Sequence, residues 1–387
     1  MILPISTLCI GLSACGCVYL LLEVGAVRAF AAALQPALQH PTGVTLLKPL
    51  HGDEPGLADN LRSFLRQDYL GPVQLVFGVA DAADRAGFAV RKLQGEFPAA
   101  DITLIVTGNA ADGNAKMANL VGMSAAIHHP LLILSDSDIR VGPDYIARTV
   151  ACLEEPGASV GLVTCLYRGE ASGGLWSLLS AMAIDYHFFP SVLLGVRLGL
   201  ARPCMGATMA FSRQTLEAIG GFGAFASFLA DDHAIGEAVR RLGMRVVVAP
   251  HVVSHRCTES DARQMVQHEL RWARTIRSID PAGFAGTLVT YPIPLALVAG
   301  VLRGFDRWSF AALVAACICR AALQWQVDRT ARTDHPARVL RYAMMVPRDG
   351  VSLAVFLCSL FMNTVVWRGR RFRVAADGRM VEMKGQA

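Results

Sequence analysis

The sequence predicts an α/β domain with a mainly parallel sheet, attached to a membrane by apolar segments that precede and follow it. Two observations lead to this prediction. Short β-rich runs alternate with helix-like segments through the middle of the chain, a pattern typical of parallel sheets covered by helices on both faces. In addition, 53% of the 387 residues are hydrophobic, 17% are charged and the mean hydropathy is +0.41, whereas a soluble domain usually has ~25% charged residues.

The first apolar segment, Ile2 to Leu22, contains no charged residue. At 1.5 Å per residue, a helix of this length covers the ~30 Å of hydrocarbon in a bilayer. A cleaved signal peptide would have basic residues before its apolar region, but the first basic residue here is Arg28. We therefore expect an uncleaved membrane anchor within residues 1–34.

Residues 43–280 have the pattern of the α/β domain. The predicted strands are Val44–Leu47, Val73–Val79, Ile102–Val106, Leu131–Leu134, Val160–Cys165 and Met244–Val248. Helices are predicted between several of them, at Gly56–Arg66 and at Ala234–Leu242, the second of which ends at Gly243. In open sheets of this kind, ligands bind beyond the carboxyl ends of the strands. Polar residues directly after a strand are therefore candidate site residues.

Residues 284–367 turn apolar again. Three runs approach spanning length, and they are Phe284–Leu302, Trp308–Trp325 and Val351–Trp367. The basic tail, residues 368–387, indicates a cytoplasmic end. If the α/β domain is cytoplasmic too, an even number of membrane crossings must separate this domain from the tail. One of the three runs therefore does not cross fully. The first run is the expected exception because it contains Pro292 and Pro294.

A further apolar stretch, residues 175–200, lies inside the α/β domain. It contains Asp185, His187 and Arg197, so it is a poor spanning helix. Two interpretations stay open. The stretch can be an interfacial segment that holds an apolar substrate near the membrane, or it can be a buried core helix.

The charge balance and the cysteines exclude several classes of protein. A net charge of +5, scattered along the chain, does not indicate a nucleic-acid-binding protein. The ten cysteines include no Cys-x-x-Cys pair, which excludes a zinc ribbon or a thioredoxin motif. Free thiols of this kind indicate a reducing, cytosolic compartment.

Two carboxylates, Asp136 and Asp138, directly follow the apolar run Leu131–Leu134. At the end of a buried strand they would place hard oxygen ligands where a divalent cation, Mg²⁺ or Mn²⁺, and a diphosphate can meet. Such a cation neutralises the charge that develops on a departing nucleotide diphosphate. The alternative is that the two residues only cap the next element, since aspartate is common in turns and caps.

A second acidic pair, Asp231 and Asp232, precedes the predicted helix Ala234–Leu242. One of the two can be a general base that removes a proton from an attacking hydroxyl. The pair can equally be an N-cap whose negative charge lies at the positive end of the helix dipole. Both interpretations can hold for different members of the pair.

A third group lies in a predicted helix from about Ala262 to Ile276. His268, Arg271 and Trp272 share one face of this helix because they are three and four residues apart. Arginine can bind phosphate oxygens with its planar fork, and tryptophan can form a wall for a sugar or a base. The alternative is a basic amphipathic helix at a membrane surface.

Asp81, after the second predicted strand, can hold a nucleobase or ribose, and Lys116 can face a phosphate. Taken singly, both residues are ordinary for solvated loops. The spacing of Gly108 and Gly113 is similar to a P-loop, but Asn114 stands where that motif requires lysine. A P-loop is therefore excluded.

Taken in order, these residues resemble the D, D, D, (Q/R)xxRW pattern of inverting family-2 glycosyltransferases with the GT-A fold. The matching positions are Asp81, Asp136-Ser137-Asp138, Asp232 and Arg271-Trp272. Other segments resemble ceramide glucosyltransferases and, more closely, bacterial hopanoid-biosynthesis glycosyltransferases. Those segments are Leu46-Leu47-Lys48-Pro49-Leu50 with Glu54-Pro55, Asn114-x-Lys116-x-x-Asn119, Met205-Gly206, Leu229-Ala230-Asp231-Asp232 and Trp367-Arg368-Gly369-Arg370-Arg371. One departure is His268, which stands where the pattern has Gln or Arg.

The resemblance implies a role for each matching position. Asp81 would contact the uridine of a UDP-sugar, and Asp136 with Asp138 would bind its diphosphate through a divalent metal. Asp232 would be the catalytic base, with Asp231 beside it on the acceptor side. The remaining implied donor and acceptor contacts are Lys116, Asn119, His268, Arg271 and Trp272.

The resemblance also implies an enzyme of the bacterial inner membrane, with several membrane segments and a cytoplasmic catalytic domain. It would transfer N-acetylglucosamine from its UDP donor to a hydroxyl of bacteriohopanetetrol, with inversion of the anomeric centre. Transfer of glucose from UDP-glucose to ceramide or diacylglycerol is the alternative. A non-catalytic scaffold or transporter is a second alternative, and it predicts that Asp232→Asn leaves function intact.

Overall fold

The structure is a computed structural model, and it describes residues 2–108, 113–330, 338–361, 364–367, 370–374 and 379–382. Its central element is a mixed sheet to which eight of the described strands belong. In chain order they are β1 (Val44–Pro49), β2 (Val73–Val79), β3 (Asp101–Val106), β4 (Leu131–Leu134), β5 (Ile139–Arg140), β6 (Val160–Ala171), β7 (Met209–Ser212) and β8 (Arg245–Cys257).

The spatial order of the sheet is β3-β2-β1-β4-β7-β6-β8-β5. Strands β1 to β4, β6 and β8 run in one direction, because β1 pairs in parallel with β2 and β4, β2 with β3, and β6 with β8. Strand β7 is antiparallel to β4 and β6, and β5 is antiparallel to β8. The predicted α/β class, with a mainly parallel sheet, is confirmed.

Helices cover both faces of this sheet and also form a separate group. They are α1 (Ile2–Ala31), α2 (Leu57–Leu65), α3 (Arg85–Glu96), α4 (Ala115–Met123), α5 (Tyr145–Leu153), α6 (Leu175–Ala183), α7 (Phe189–Arg197), α8 (Arg213–Ala218), α9 (Asp231–Arg241), α10 (Ala262–Ile279), α11 (Pro281–Gly286), α12 (Pro292–Arg303), α13 (Arg307–Thr330), α14 (Arg338–Ala343) and α15 (Met345–Leu360).

Alternating apolar residues of the strands supply the two cores of the sheet. In β1, for example, Leu46 packs with Leu61 of α2 on one face, and Leu47 packs with Leu120 of α4 on the other. Successive side chains of a strand point to opposite faces, so a strand that is covered on both faces needs apolar residues at odd and at even positions.

A third core joins the apolar helices to one another. Leu20 of α1, Leu179 of α6, Leu194 of α7 and Leu323 of α13 all belong to it. We call α1, α6, α7, α12, α13 and α15 the helix bundle. Gly16 lets α1 approach the start of α12 closely, because a Cβ at this position would collide with the backbone oxygen of Val289 and with Pro292.

Within the described residues, three helical stretches are long and apolar enough to cross a membrane: Leu3–Ala31, Leu175–Arg197 and Arg307–Thr330. The N-terminal and C-terminal apolar helices are thus candidate spans, as predicted. The proline-bearing run forms two helical parts, Pro281–Thr290 and Pro292–Arg303, bent by 62°, which is the geometry of a broken span or a re-entrant loop.

The sequence predicted that residues 175–200 are a poor spanning helix, but the structure makes most of them a candidate span. Helices α6 and α7 continue into each other through a π-helical turn at Ile184–Phe188, so the whole stretch is long and apolar enough to qualify. Its charged residue Asp185 is buried and paired with Arg341 at 2.7 Å, and 61% of the apolar window is buried inside the protein.

The prediction that Val351–Trp367 forms one apolar segment is wrong. Its helix, α15, ends at Leu360, and a second sheet follows, composed of β9 (Thr364–Trp367), β10 (Arg370–Val374) and β11 (Met380–Glu382). These strands are antiparallel. The run Thr-Val-Val-Trp has the β-branched and aromatic residues that favour strands. The other residues of the basic tail lie largely outside the described residues.

Candidate active site

The site lies at the carboxyl end of the parallel strands. Strand β4 ends at Leu134, and Asp136 and Asp138 follow it, as the sequence predicted. Lys48, near the end of the neighbouring β1, donates to the backbone oxygen of Asp136 at 2.6 Å, and its Nζ lies 3.7 Å from the centre of the Phe64 ring. Burial lowers the pKa of Lys48 to about 7 although Asp136 and Asp138 oppose this shift. Lys48 thus holds the turn after β4 in place.

Lys116 reaches this turn from helix α4. The side chain of Asn114 caps the helix by accepting from the backbone N–H groups of Lys116 and Met117. The Nζ of Lys116 lies 2.7 Å from Asp136 Oδ1 and 3.5 Å from Asp231 Oδ2. Burial alone would lower the pKa of Lys116, but the carboxylates of Asp136 and Asp231 raise it above its ordinary value. Lys116 is therefore a fixed positive charge between two carboxylates.

Asp231 and Asp232 form the first turn of helix α9, which begins three residues earlier than predicted. Neither is the N-cap residue, since that position is Ala230, but both lie at the positive end of the helix dipole. Asp231 accepts from the side chain of Asn114 at 3.1 Å. Asp231 thus helps to orient the segment that carries Lys116.

Both carboxylate oxygens of Asp232 accept from backbone N–H groups. Oδ2 accepts from Gly206 at 2.9 Å and Oδ1 from His233 at 2.7 Å. Burial, and then the negative charge of Asp231, raises the pKa of Asp232 to about 6, while Lys116 lowers it. A carboxylate held in one orientation with a pKa near neutrality has the properties of a general base.

Three charged side chains, those of Asp136, Lys116 and Asp232, converge at Gly206. A Cβ on Gly206 would lie 3.1 Å from Asp136 Oδ2, 3.2 Å from Lys116 Nζ and 3.5 Å from Asp232 Oδ2. Residues far apart in the chain therefore meet around one backbone position, and any side chain on Gly206 would enter the space between them. We call Asp136, Asp138, Asp231 and Asp232 the carboxylate cluster.

Asp138 lies on the other side of the turn, next to a cavity. Its Oδ2 is 3.5 Å from His255 Nδ1, and its Oδ1 has no hydrogen-bond partner among the described residues. Burial would raise the pKa of Asp138, but His255 above all lowers it, to about 2. The cavity, of about 240 Å³, is also lined by Glu54, Glu259 and His268.

Helix α10 closes the site with the predicted group of three residues. His268 lies 2.7 Å from Glu259 Oε1 through Nδ1, and its ring contacts Trp272 edge to face at 4.4 Å between centres. Trp272 also approaches His255, at 5.9 Å, and Tyr167, at 6.4 Å. The predicted common face of His268 and Trp272 is therefore directed at the site.

Arg271, on the same helix, interacts with the carboxylate cluster. Burial lowers the pKa of Arg271, while Asp138 and then Asp136 raise it. No hydrogen bond from its guanidinium to another described residue is present. A half-buried guanidinium with unused donors is suited to binding an anion.

Tyr167, Phe188 and Trp272, which we call the aromatic wall, extend the site toward the helix bundle. Tyr167 stacks on Phe188 with ring centres 4.7 Å apart. Phe188 belongs to the π-helical turn between α6 and α7. A continuous aromatic surface thus connects the polar site with the candidate membrane helices.

Two predicted site residues lie apart from this centre. Asp81 follows β2, which β1 separates from β4 in the sheet, so it lies at the same sheet edge but apart from Asp136. It is exposed and accepts from the N–H of Ala83. Asn119 is buried and donates to the backbone oxygen of Gly78 at 2.9 Å. Its amide therefore fastens α4 to β2, and a direct contact with a ligand, as predicted for Asn119, does not fit this geometry.

The residues present fit a divalent metal that takes most of its ligands from a diphosphate and from water. Asp136 and Asp138 are both half-buried, and Asp138 has the free Oδ1. In the described part of the chain, no group of three or more His, Cys, Asp or Glu residues is arranged to hold a metal alone. Mg²⁺ is usually bound in this way, through one or two carboxylates plus substrate phosphates.

The sequence did not single out several residues of the site. Lys48, Glu54 and Gly206 entered only as parts of the family resemblance, and Tyr167, His255 and Glu259 carried no role. Tyr167 and His255 lie in the polar continuations of β6 and β8, beyond the apolar runs that predicted these strands. Both strands extend to the site, because Tyr167 pairs with Val253 and Gly169 pairs with His255. In the sequence, only an alternation of apolar and polar residues beyond the apolar runs could have indicated these longer strands.

Comparisons with known proteins show which family the chain belongs to. A model of glycosyl transferase family 21 matches residues 8–380. Ceramide glucosyltransferase 1 of Caenorhabditis elegans is 22% identical over 349 residues, which cover 87% of this chain and 73% of that protein. Ceramide glucosyltransferase 3 of the same organism is 20% identical over 356 residues, with coverages of 88% and 75%.

A solved structure shows the same fold. The mannosyltransferase PcManGT from Pyrobaculum calidifontis, in complex with GDP-Man and Mn²⁺, superimposes with a TM-score of 0.51 at 19% identity. The match covers 92% of this chain and 99% of that chain. Together, the family match and the fold define a sugar-transferring enzyme with the GT-A fold.

Within this class, the chain belongs to glycosyl transferase family 21. The predicted resemblance to ceramide glucosyltransferases is confirmed, although the matching family is numbered 21 and not 2. The hopanoid acceptor and the bacterial source do not follow from these relatives and stay predictions.

Proposed function

We propose that this protein transfers a sugar from a UDP-sugar to a hydroxyl group of a membrane lipid, with inversion of the anomeric centre. The observation that carries the proposal is the convergence of Asp136, Lys116 and Asp232 around Gly206. The aromatic wall, which joins this centre to the helix bundle, supports a lipid acceptor. The family relatives, named as ceramide glucosyltransferases, support it as well.

In the proposed reaction, Asp232 removes the proton of the acceptor hydroxyl. The hydroxyl oxygen attacks the anomeric carbon from the face opposite the UDP group, the bond to the diphosphate oxygen breaks, and UDP leaves. Asp232 can accept this proton because its raised pKa lies close to neutrality. Its two backbone hydrogen bonds keep the carboxylate oriented during the attack.

Two cationic side chains can oppose the charge that develops on the leaving diphosphate. Lys116 already lies between two carboxylates, and Arg271 has unused donors beside Asp138. Charge placed in advance at such a position stabilises a transition state more than mobile water does. A divalent ion held by Asp136 and Asp138 would add Lewis-acid neutralisation of the diphosphate.

The proposed donor is UDP-N-acetylglucosamine and the proposed acceptor is the polyol of bacteriohopanetetrol, at the cytoplasmic face of a bacterial inner membrane. This choice rests on the resemblance of the sequence motifs to the hopanoid branch. Asp81, at the same sheet edge, would contact the nucleoside. The ring system of the acceptor would stay in the bilayer beside the helix bundle, with its hydroxyl groups at the aromatic wall.

A second candidate is the transfer of glucose from UDP-glucose to ceramide. The two curated relatives, which match along most of this chain, favour it. Both acceptors combine a large apolar part with a hydroxyl-bearing end, so the aromatic wall is compatible with either.

The experiment that separates the candidates uses the full chain purified in detergent. UDP-N-acetylglucosamine and UDP-glucose are each incubated with bacteriohopanetetrol, ceramide and diacylglycerol, and the glycolipid products are identified by mass spectrometry. A hopanoid product made from UDP-N-acetylglucosamine supports the proposal. Transfer only to ceramide would replace the acceptor, and no transfer to any lipid would overturn the proposed function.

Asp232→Asn is the variant that tests the chemical step. We expect turnover to fall by about 10²–10⁴-fold, the usual contribution of a general base, because the amide cannot take the proton. UDP-sugar binding, measured by titration calorimetry, should persist. His233→Gln, in the next position of the same helix turn, is the matched control and should keep most of the activity.

A further inference from the structure

The helix bundle contains buried ion pairs, and one of them reaches the helix that closes the active site. Arg348 of α15 is 2% exposed. Its two terminal nitrogens donate to the two carboxylate oxygens of Glu269, at 2.9 and 2.6 Å. Glu269 directly follows His268 on α10 and precedes Arg271 by two residues. The pair therefore joins the bundle to the element that carries three predicted site residues.

Helix periodicity separates the two faces of α10. Met265 and Glu269, four residues apart, share one face, and both contact Arg348, since its Nη1 also lies 3.9 Å from Met265 Sδ. His268 and Trp272, again four apart, share a neighbouring face, which meets His255 and Tyr167. A rotation or shift of α10 on the bundle would therefore move Trp272 in the active site.

Arg348 is itself fixed by the bundle. Its Nη2 donates to Ser352 at 3.0 Å. The adjacent residue, Asp349, pairs with Arg320 of α13 at 3.1 Å and with His187 of the π-helical turn at 3.1 Å. Charged groups are rare in apolar helices and are retained there where they serve function or fix a partner. A bidentate arginine–carboxylate pair also fixes the relative orientation of its two side chains, because both groups are planar.

We propose that Glu269 and Arg348 are positioning residues, which hold α10 on the helix bundle so that Arg271 and Trp272 meet the donor in the reactive geometry. This inference rests on the proposed function. Neither residue touches the reacting atoms in this assignment, and each acts through the placement of α10. Sugar transfer consequently depends on the packing of helices that lie outside the α/β domain.

The test compares Glu269→Gln, Arg348→Lys and the exchanged pair Glu269→Arg/Arg348→Glu in the purified full chain. We expect the single variants to lower kcat about tenfold or more, as misplacement of a reacting group does, with the donor KM within about threefold of its starting value. Activity is counted per UDP-binding site, so a smaller folded fraction does not imitate this result. The exchanged pair should recover part of the lost kcat.

Hydrogen–deuterium exchange of residues 262–279 is the second measurement, and it does not depend on turnover. Exchange should rise in the single variants and return toward the starting value in the exchanged pair. Asp306→Asn is the matched control, because Asp306 pairs with Arg303 at 2.7 Å elsewhere in the apolar C-terminal region, and it should change neither readout.

The possible outcomes separate this inference from the proposed function. Single variants with unaltered kcat and unaltered exchange in α10 would overturn the positioning role. An exchanged pair that folds and binds UDP but recovers neither kcat nor exchange would overturn it too. If the starting protein transfers no sugar but exchange responds as expected, the coupling of α10 to the bundle stands while the proposed function fails.

Discussion

Two groups of charged residues in this protein differ in how their charges are balanced. In and beside the helix bundle, two deeply buried arginines each have one principal acid, in the pairs Arg320–Asp349 and Arg341–Asp185, whose side chains are at most 2% exposed. In the carboxylate cluster several acids share Lys116, and the side chains of Asp136 and Asp138 are 37% exposed.

The difference indicates what each group does. Balanced and buried pairs have no charge left for a ligand, so their role is to fix the packing of helices. In the carboxylate cluster, the buried Oδ1 of Asp138 has no hydrogen-bond partner among the described residues, and the side chains of Asp136 and Asp138 are partly exposed to water. A cation and the polar groups of a substrate can complete such a site. The following predictions test this contrast between a structural and a ligand-binding ion cluster.

The largest effect on stability should come from the bundle. We expect Asp349→Asn to lower the free energy of unfolding by about 3–5 kcal/mol, because Arg320 would be left buried without its counter-charge. The apparent midpoint of thermal unfolding in detergent measures this change. Replacing both partners, as Arg320→Met/Asp349→Leu, should restore much of the loss. An Asp349→Asn protein as stable as the starting one would show that the pair is not structural.

In the carboxylate cluster, activity should respond and stability should change much less. We expect Lys116→Met to lower kcat by about 10²–10³-fold, the typical effect of losing one fixed positive or hydrogen-bonding group that faces a developing negative charge. Asp136 can regain water, so the unfolding midpoint should move little. Lys92→Met, which removes an exposed lysine of α3, serves as the control. Equal activity of the two variants would contradict the assignment of Lys116.

The pH dependence of activity should report the pKa of Asp232. The base acts only when deprotonated, so kcat/KM should be constant above pH ~6 and fall about tenfold per pH unit below it. Asp231→Asn should move the acidic fall of kcat/KM to lower pH, because the charge of Asp231 raises the pKa of Asp232. Lys116→Met should move this fall of kcat/KM to higher pH, because the charge of Lys116 lowers the pKa of Asp232. Shifts of the same sign in both variants would contradict the proposed electrostatic coupling.

The smallest effect is expected for Asp81→Asn. The side chain is exposed, so its contact with a nucleoside should contribute about 1 kcal/mol or less, and the donor KM should rise by about fivefold or less. Steady-state kinetics with varied UDP-sugar would show this, with kcat unchanged. An unchanged KM would remove Asp81 from the binding site, although it lies at the same sheet edge.

Much of the fold could be predicted because apolar runs have a direct physical meaning. Leu131–Leu134 and Val73–Val79 are strands with the predicted bounds, since a strand that is covered on both faces is mostly apolar. The long strands β6 and β8 were predicted only in their apolar first parts. Their continuations contain polar residues that pair with each other and reach the site, and no apolar signal marks such pairing.

The candidate site was predicted in part for a similar reason. Asp136, Lys116 and Asp232 could be named from their positions after strands or in a family pattern, and the structure brings them together. Asn119 was named for the same pattern, but its amide is engaged by the backbone of Gly78. His255 and Glu269 were outside the prediction, because a residue's partner across the chain is not visible in its own neighbourhood of the sequence.

The sequence by itself determined the α/β class, the apolar helices and the placement of carboxylates at strand ends, because these follow from local periodicity and composition. Tertiary structure alone decided which charges face each other. Lys116 lies between Asp136 and Asp231, and Arg348 pairs with Glu269, since folding brought distant segments within hydrogen-bond distance. Electrostatic energy depends on that distance and on burial, and neither quantity is contained in the order of the residues.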